Sequence, residues 1–171
     1  MNPRLRGFAL SMLAALCFGA GAAAASPLST PYNDAQALKG VSQGKGVFMI
    51  SLDQPQKLAL YLKVIGGTHD NFVNQGRAAD LKVVFIGASV RHLTRSRAME
   101  GDVASREVYA EIARQAERLK AKGVRLEVCA IATELFAVDN ADLLAPLELI
   151  NDGFVSAIGY QTQGYQLVPI Y

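Results

Sequence analysis

Residues 123–136 read GVRLEVCAIATELF, and the fold turns on how this stretch is read. Gly123 suits the position just past a helix end. VRLEVCA (124–130) is an apolar, β-prone run, and the residues through Phe136 return to a short helical pattern. A helix–strand–helix joint of this kind belongs to a parallel α/β sheet, because parallel strands need a crossover between them.

Upstream lies the clearest helix of the chain. Asp102 is its candidate N-cap, and Val108, Ile112, Ala116 and Leu119 form one apolar stripe among charged residues that read as a solvated face. Before it, LKVVFIG (81–87) is rich in β-branched and aromatic residues and predicts a strand. The connection between them, ASVRHLTRSRAMEGD (88–102), is long for its place, with part of it predicted as a short helix. Further back, GVFMISLD (46–53) predicts a buried strand. Pro55 fits a first helical turn, and Leu58, Leu62 and Ile65 repeat at helical spacing until Gly66 and Gly67, which are expected to stop that helix.

Downstream, LELI (147–150) predicts a brief strand, Asp152 a cap for the helix in GFVSAIGYQTQG, and YQLVPIY (165–171) a last strand. Pro169 confines that strand to a sheet edge or to pairing that spares its missing N–H. The sum is β-α-β-α-β-α-β-α-β with apolar strands. It predicts a three-layer α/β fold, a mostly parallel five-stranded sheet with helices on both faces.

Parity sorts the side chains around Cys129. Val124, Leu126, Val128 and Ala130 share one face, and Arg125, Glu127 and Cys129 the other. Charged companions predict that this face is not deeply buried. Two readings of Cys129 stand: a working thiol at a strand's carboxyl end, where ligand sites gather in such sheets, or a small apolar residue filling a core. A following helix N-terminus favours the thiolate form. Arg91, His92 and Arg95, in the connection after the second strand, are the anion-binding or pKa-tuning candidates.

The 171 residues, 51% hydrophobic and 19% charged, suit one domain with a substantial core. Residues 1–25 read as a cleaved secretory signal: Arg4 and Arg6, then GFALSMLAALCFGAG, then small residues before Ser26. Residues 26–44 form an extended lead-in and 45–171 the domain. The expected location is the periplasm, with no stable membrane span. Loss of Arg4 and Arg6 takes 17 basic side chains to 15, equal to the 15 acids. A neutral chain argues against nucleic-acid binding. Of the two cysteines, Cys17 lies in the signal and Cys129 alone is left.

Other chemistries lack their motifs. His69 and His92 have no partners at metal-ligand spacing, so no metal is expected. GVSQGKG precedes the first strand, the wrong context for a phosphate loop, and no G-x-S-x-G elbow occurs. No cofactor is expected.

LKVVFIGASVRHLT, LKAKGVRLEVCAIAT and ADLLAPLELINDGFVSAIGYQTQGYQLVPIY together resemble the successive blocks of the DsrE/DsrF-like family, over roughly residues 45 to 171. The resemblance implies a small α/β fold that assembles as a homo-oligomer, a trimer or hexamer. It also implies that Cys129 stands where sulfur-relay members carry a persulfide, with a sulfane-sulfur donor and a thiol-bearing protein as partners. Many relatives place a histidine before the glycine of strand two, where this chain has Ile86, and the relay members work in the cytoplasm. Sulfur handling through Cys129 and a non-catalytic oligomeric binding module with a structural cysteine are the two functions to separate.

Overall fold

The computed structural model describes residues 32–171. The signal segment and residues 26–31 of the lead-in lie outside the described residues. Five strands, β1 (Gln43–Ile50), β2 (Ala78–Phe85), β3 (Arg125–Cys129), β4 (Glu148–Ile150) and β5 (Gln166–Ile170), pair in the order β4-β3-β2-β1-β5, parallel throughout. Among the described residues four helices separate them: α1 (Pro55–Asn74), α2 (Val103–Ala121), α3 (Ala130–Leu135) and α4 (Gly153–Thr162).

Alternation along the strands makes two cores. Phe48, Ile50, Val83, Phe85, Leu126 and Val128 pack with Leu58, Leu62 and Ile65 of α1 and Ile112, Ala116 and Leu119 of α2. The opposite face, with Val47 and Val84, is covered by Tyr160 of α4 and by Tyr165. The chain steps outward from β1 to β4, then α4 carries it back so that β5 pairs with β1. That return lies on the other face, giving the expected three layers. Pro169 stands in β5, an edge strand.

The α2 helix has the predicted limits. The Asp102 carboxylate accepts a hydrogen bond from the Ser105 N–H at 2.8 Å, and the helix stops before Gly123. The α1 helix does not stop where expected. It runs through Gly66 and Gly67 to Asn74, and the chain turns at Gly76, where φ is +71°. Neither Gly66 nor Gly67 takes the left-handed conformation that ends a helix. Beyond them the ring of Phe72 lies against β1, in space that a side chain at Gly44 would occupy. Tertiary packing outweighs a local glycine cost of about 1 kcal/mol.

β1 begins three residues earlier than predicted, because Gln43, Gly44 and Lys45 pair with Ala78, Ala79 and Asp80 of β2. The long connection after β2 contains two 3-10 turns, Gly87–His92 and Ser96–Ala98. A bridge from Thr94 to Leu143 ties it to the segment before β4.

Candidate functional site

The carboxyl ends of β1, β2 and β3 enclose a pocket of about 280 Å³. Ser51 follows β1, Ile86 and Gly87 follow β2, and Cys129 ends β3. Helix α3 supplies Ile131, Ala132 and Leu135, with Phe136 just beyond; Asp152 and Phe154 close the far side at the start of α4. The lining is mostly apolar. Leu135, Phe154 and Ile131 are also open to solvent, at 77%, 60% and 45% exposure, so an apolar rim surrounds the mouth.

Cys129 is a free cysteine, 6% exposed. Its backbone makes two junctions at once. It is the N-cap residue of α3, and it pairs with Ile150 at the end of β4, just before α4 begins. The first residue of α4, Gly153, is pressed against it. A Cβ built on Gly153 would stand 2.5 Å from Ile86 Cγ2, 3.2 Å from Val84 Cγ1 and 3.3 Å from Cys129 Cβ. Only glycine lets the helix start so close to the sheet. Two helix N-termini therefore converge on the cysteine, the helix end that favours negative charge. One of them already has an anion, because the Asp152 carboxylate accepts from the Phe154 N–H at 2.8 Å.

Parity is as expected on β3, but the burial drawn from it is not. Glu127 shares the face of Cys129 and is 2% exposed. Its carboxylate is matched rather than solvated. Oε1 accepts from the Tyr160 hydroxyl at 2.6 Å and pairs with Arg125 Nε at 2.8 Å, while Oε2 accepts from the Ser156 hydroxyl at 2.7 Å. Both hydroxyls belong to α4. Burial, and the carboxylate beside it, push the Tyr160 hydroxyl far above the ordinary tyrosine range, so it remains a donor. A charged residue on a strand face is buried here because a helix brings donors to it. Sequence parity carries no information about that helix.

Next to this network lies a second one. Tyr165 donates to Asp80 at 2.6 Å, Lys82 pairs with Asp80 at 2.7 Å, and Lys45 lies 4.9 Å from the centre of the Tyr165 ring. Burial raises the Asp80 carboxyl, but the hydrogen bonds from Lys82 and Tyr165 and the lysine charges outweigh it and hold it below the carboxylate norm.

Since β2 and β3 are neighbours, the basic connection does come to the same end of the sheet as Cys129. It does not enter the same pocket. Arg91 and Arg97 line a second cavity of about 230 Å³ with Thr94, Ser96 and Asp142, and Phe136 is the wall common to both. Arg91 pairs with Asp53, and its guanidinium carbon stands 5.1 Å from the centre of the Phe136 ring. Arg95 donates to the Ala141 carbonyl at 2.5 Å and pairs with Asp142 at 3.5 Å. His92 is buried, with Nε2 at 3.1 Å from the Asp53 carbonyl and Nδ1 at 3.4 Å from the Tyr109 hydroxyl. Burial lowers its pKa, against the pull of Asp53, so it is neutral at physiological pH. Arg91, His92 and Arg95 are thus engaged with their own partners. Of the other residues that line its pocket, Asp152 was read from sequence only as a helix cap and Ile86 only as a departure from the family pattern, and Ser51, Phe136 and Phe154 were not singled out. A known strand register would have pointed to Ile86, which follows the β2 residue Phe85 paired with Val128.

A parallel five-stranded sheet with a strand-end cysteine beneath an apolar pocket defines the class: a small α/β protein with a thiol at the topological position of a ligand site. The sequence profile of the DsrE/DsrF-like family matches residues 45–170. The chain belongs to this family. Among solved structures it is similar to a protein of unknown function, MTH1491, from Methanobacterium thermoautotrophicum. The TM-score is 0.57 at 20% identity, covering 74% of this chain and 98% of that one. The ychN protein of E. coli gives a TM-score of 0.56 at 16% identity, covering 75% and 99%. At these identities the likeness speaks for the fold. No curated protein matches the chain.

Proposed function

We propose that this chain is a periplasmic sulfur-handling protein whose Cys129 carries sulfane sulfur as a persulfide. The carrying observation is the placement of Cys129, at the carboxyl end of β3 and on the wall of an open pocket. In the forward step the Cys129 thiolate attacks the outer sulfur of a donor R–S–SH. An S–S bond to Cys129 forms, the S–S bond of the donor breaks, and R–S⁻ leaves with the electron pair. An acceptor thiolate then attacks the outer sulfur of the persulfide and returns Cys129 to its thiolate. Neither step needs an outside oxidant.

The test is an intact mass after incubation of the purified chain with a sulfane-sulfur donor. One added sulfur on the wild type and none on Cys129→Ser is the expected result. Equal uptake by both proteins removes the proposal.

A second reading, a non-catalytic oligomeric module, draws on the burial of Cys129 and on Phe154, Val155 and Ile158, which α4 leaves exposed. A homo-oligomer, trimer or hexamer, would cover such a face. It is separated from the first by a thiol probe at neutral pH: labelling only after unfolding favours the module.

A further inference from the structure

We infer that the Cys129 pocket selects neutral, apolar sulfane-sulfur compounds, of the organic polysulfide class R–S–S–S–R, over anionic donors such as polythionates. The inference rests on the persulfide reading of Cys129 and adds the chemistry of what reaches it.

Three observations carry it. The first is the lining: Ile86, Ile131, Ala132, Leu135, Phe136 and Phe154 supply aliphatic and aromatic walls. The second is charge. Among the described residues that line the pocket none is lysine, arginine or histidine, and the one ionisable oxygen group is the Asp152 carboxylate. The third is the occupation of nearby cations. Arg91 is drawn to Asp53, Arg97 to Glu100 and Arg95 to Asp142, and none of the three lines the Cys129 pocket.

The attacking group is itself a thiolate. An anionic donor would bring a further negative charge beside that thiolate and Asp152, into mostly apolar walls where Ser51 is the one side-chain hydroxyl. The helix N-termini offset only part of this, since Asp152 already caps α4. A neutral polysulfide meets neither cost, and its carbon groups gain contact with the apolar rim formed by Ile131, Leu135 and Phe154.

The chemistry balances without an outside oxidant. The Cys129 thiolate attacks the central sulfur, an Sγ–S bond forms, one S–S bond breaks, and R–S⁻ leaves and takes a proton from water. Cys129 then holds –S–S–R. A second thiolate, R′–S⁻, attacking the sulfur that bears R gives R–S–S–R′ and leaves the persulfide on Cys129.

The experiment compares dimethyl trisulfide with tetrathionate. Rates of Cys129 modification are read by intact mass on the native chain and on the same chain unfolded in urea, which corrects for intrinsic reactivity. The trisulfide-to-tetrathionate ratio is expected to be about tenfold higher in the native chain, between the few-fold effect of a like-charge contact in water and the far larger one near a protein surface. Asp152→Asn, which keeps a capping side chain, should lower that ratio by about threefold. A native ratio equal to or below the unfolded one overturns the inference while leaving Cys129 as a sulfur carrier. If neither donor modifies native Cys129, the persulfide reading fails. Iodoacetamide and iodoacetate, alike in size and different in charge, then test the pocket directly. A native preference of about tenfold for the neutral reagent supports the charge selectivity, and equal relative rates overturn it.

Discussion

Replacing Glu127 by alanine tests the account of how α4 is held over the sheet. The carboxylate is 2% exposed and accepts from Tyr160 at 2.6 Å and Ser156 at 2.7 Å, with Arg125 at 2.8 Å. Removing it strands two part-buried hydroxyl donors and opens a void beneath the helix. The void and the two hydroxyls left without their acceptor together cost about 2–4 kcal/mol. Arg125 is half exposed and keeps Glu148 at 2.8 Å, so its share is screened and small. Glu127→Gln is the informative contrast. Its carbonyl can replace Oε1, which serves Tyr160 and Arg125, and its amide can donate to a Ser156 hydroxyl turned to accept. The expected loss is about 1–2 kcal/mol, two charge-assisted bonds exchanged for neutral ones. Urea denaturation of the wild type, both variants, Tyr160→Phe and the Glu127→Gln/Tyr160→Phe pair gives these values and a coupling energy of about 1 kcal/mol or more. At a few degrees per kcal/mol, Glu127→Ala should also melt about 10 °C early. A loss below about 1 kcal/mol for Glu127→Ala refutes the reasoning, since it would mean a hydrated carboxylate.

Gly153→Ala should cost about 1–3 kcal/mol, because the new methyl meets Ile86, Val84 and the Cys129 Cβ; it should also change the rate at which Cys129 reacts with a neutral thiol probe, against an unchanged rate in urea. For His92 the folded pKa lies below its ordinary 6.5, so the unfolded chain binds a proton there that the folded chain refuses. Stability should therefore fall as pH drops below 6.5, and His92→Gln should flatten that slope in urea titrations at neutral and mildly acid pH. The depressed Asp80 carboxyl works in the acid range: its contribution is present above the ordinary 3.8 and is lost as pH falls through the lower folded value. Asp80→Asn should make acid unfolding shallower, and an unchanged acid midpoint counts against the Lys82–Asp80–Tyr165 cluster.

What the sequence made legible follows the range of the forces involved. The strands and α2 with its Asp102 cap are encoded locally, by periodicity and capping, and the missing N–H of Pro169 narrowed β5 to an edge or to pairing that spares it. The continuation of α1 past Gly67 is not, since it depends on Phe72 reaching Gly44 across the fold. Glu127 is the sharper case. Its charge read as solvent exposure, whereas Ser156 and Tyr160, some thirty residues later, make it a buried acceptor. The position of Cys129 at a strand end was readable from the length of its apolar run, whereas the nearness of the basic connection depended on a strand order that the sequence does not show. That Arg91, His92 and Arg95 are held by Asp53, Asp142 and the backbone was not readable, because those pairings depend on loop conformations.

The pairing of β5 with β1 also governs when the domain can exist at all. β1, next to the sheet edge, waits for a partner that is made last of the five. Until residue 170 has emerged, Tyr165 cannot cover Val47 and Val84, and β1 presents an unpaired edge. A chain still being synthesised therefore cannot complete the sheet before β5 has emerged.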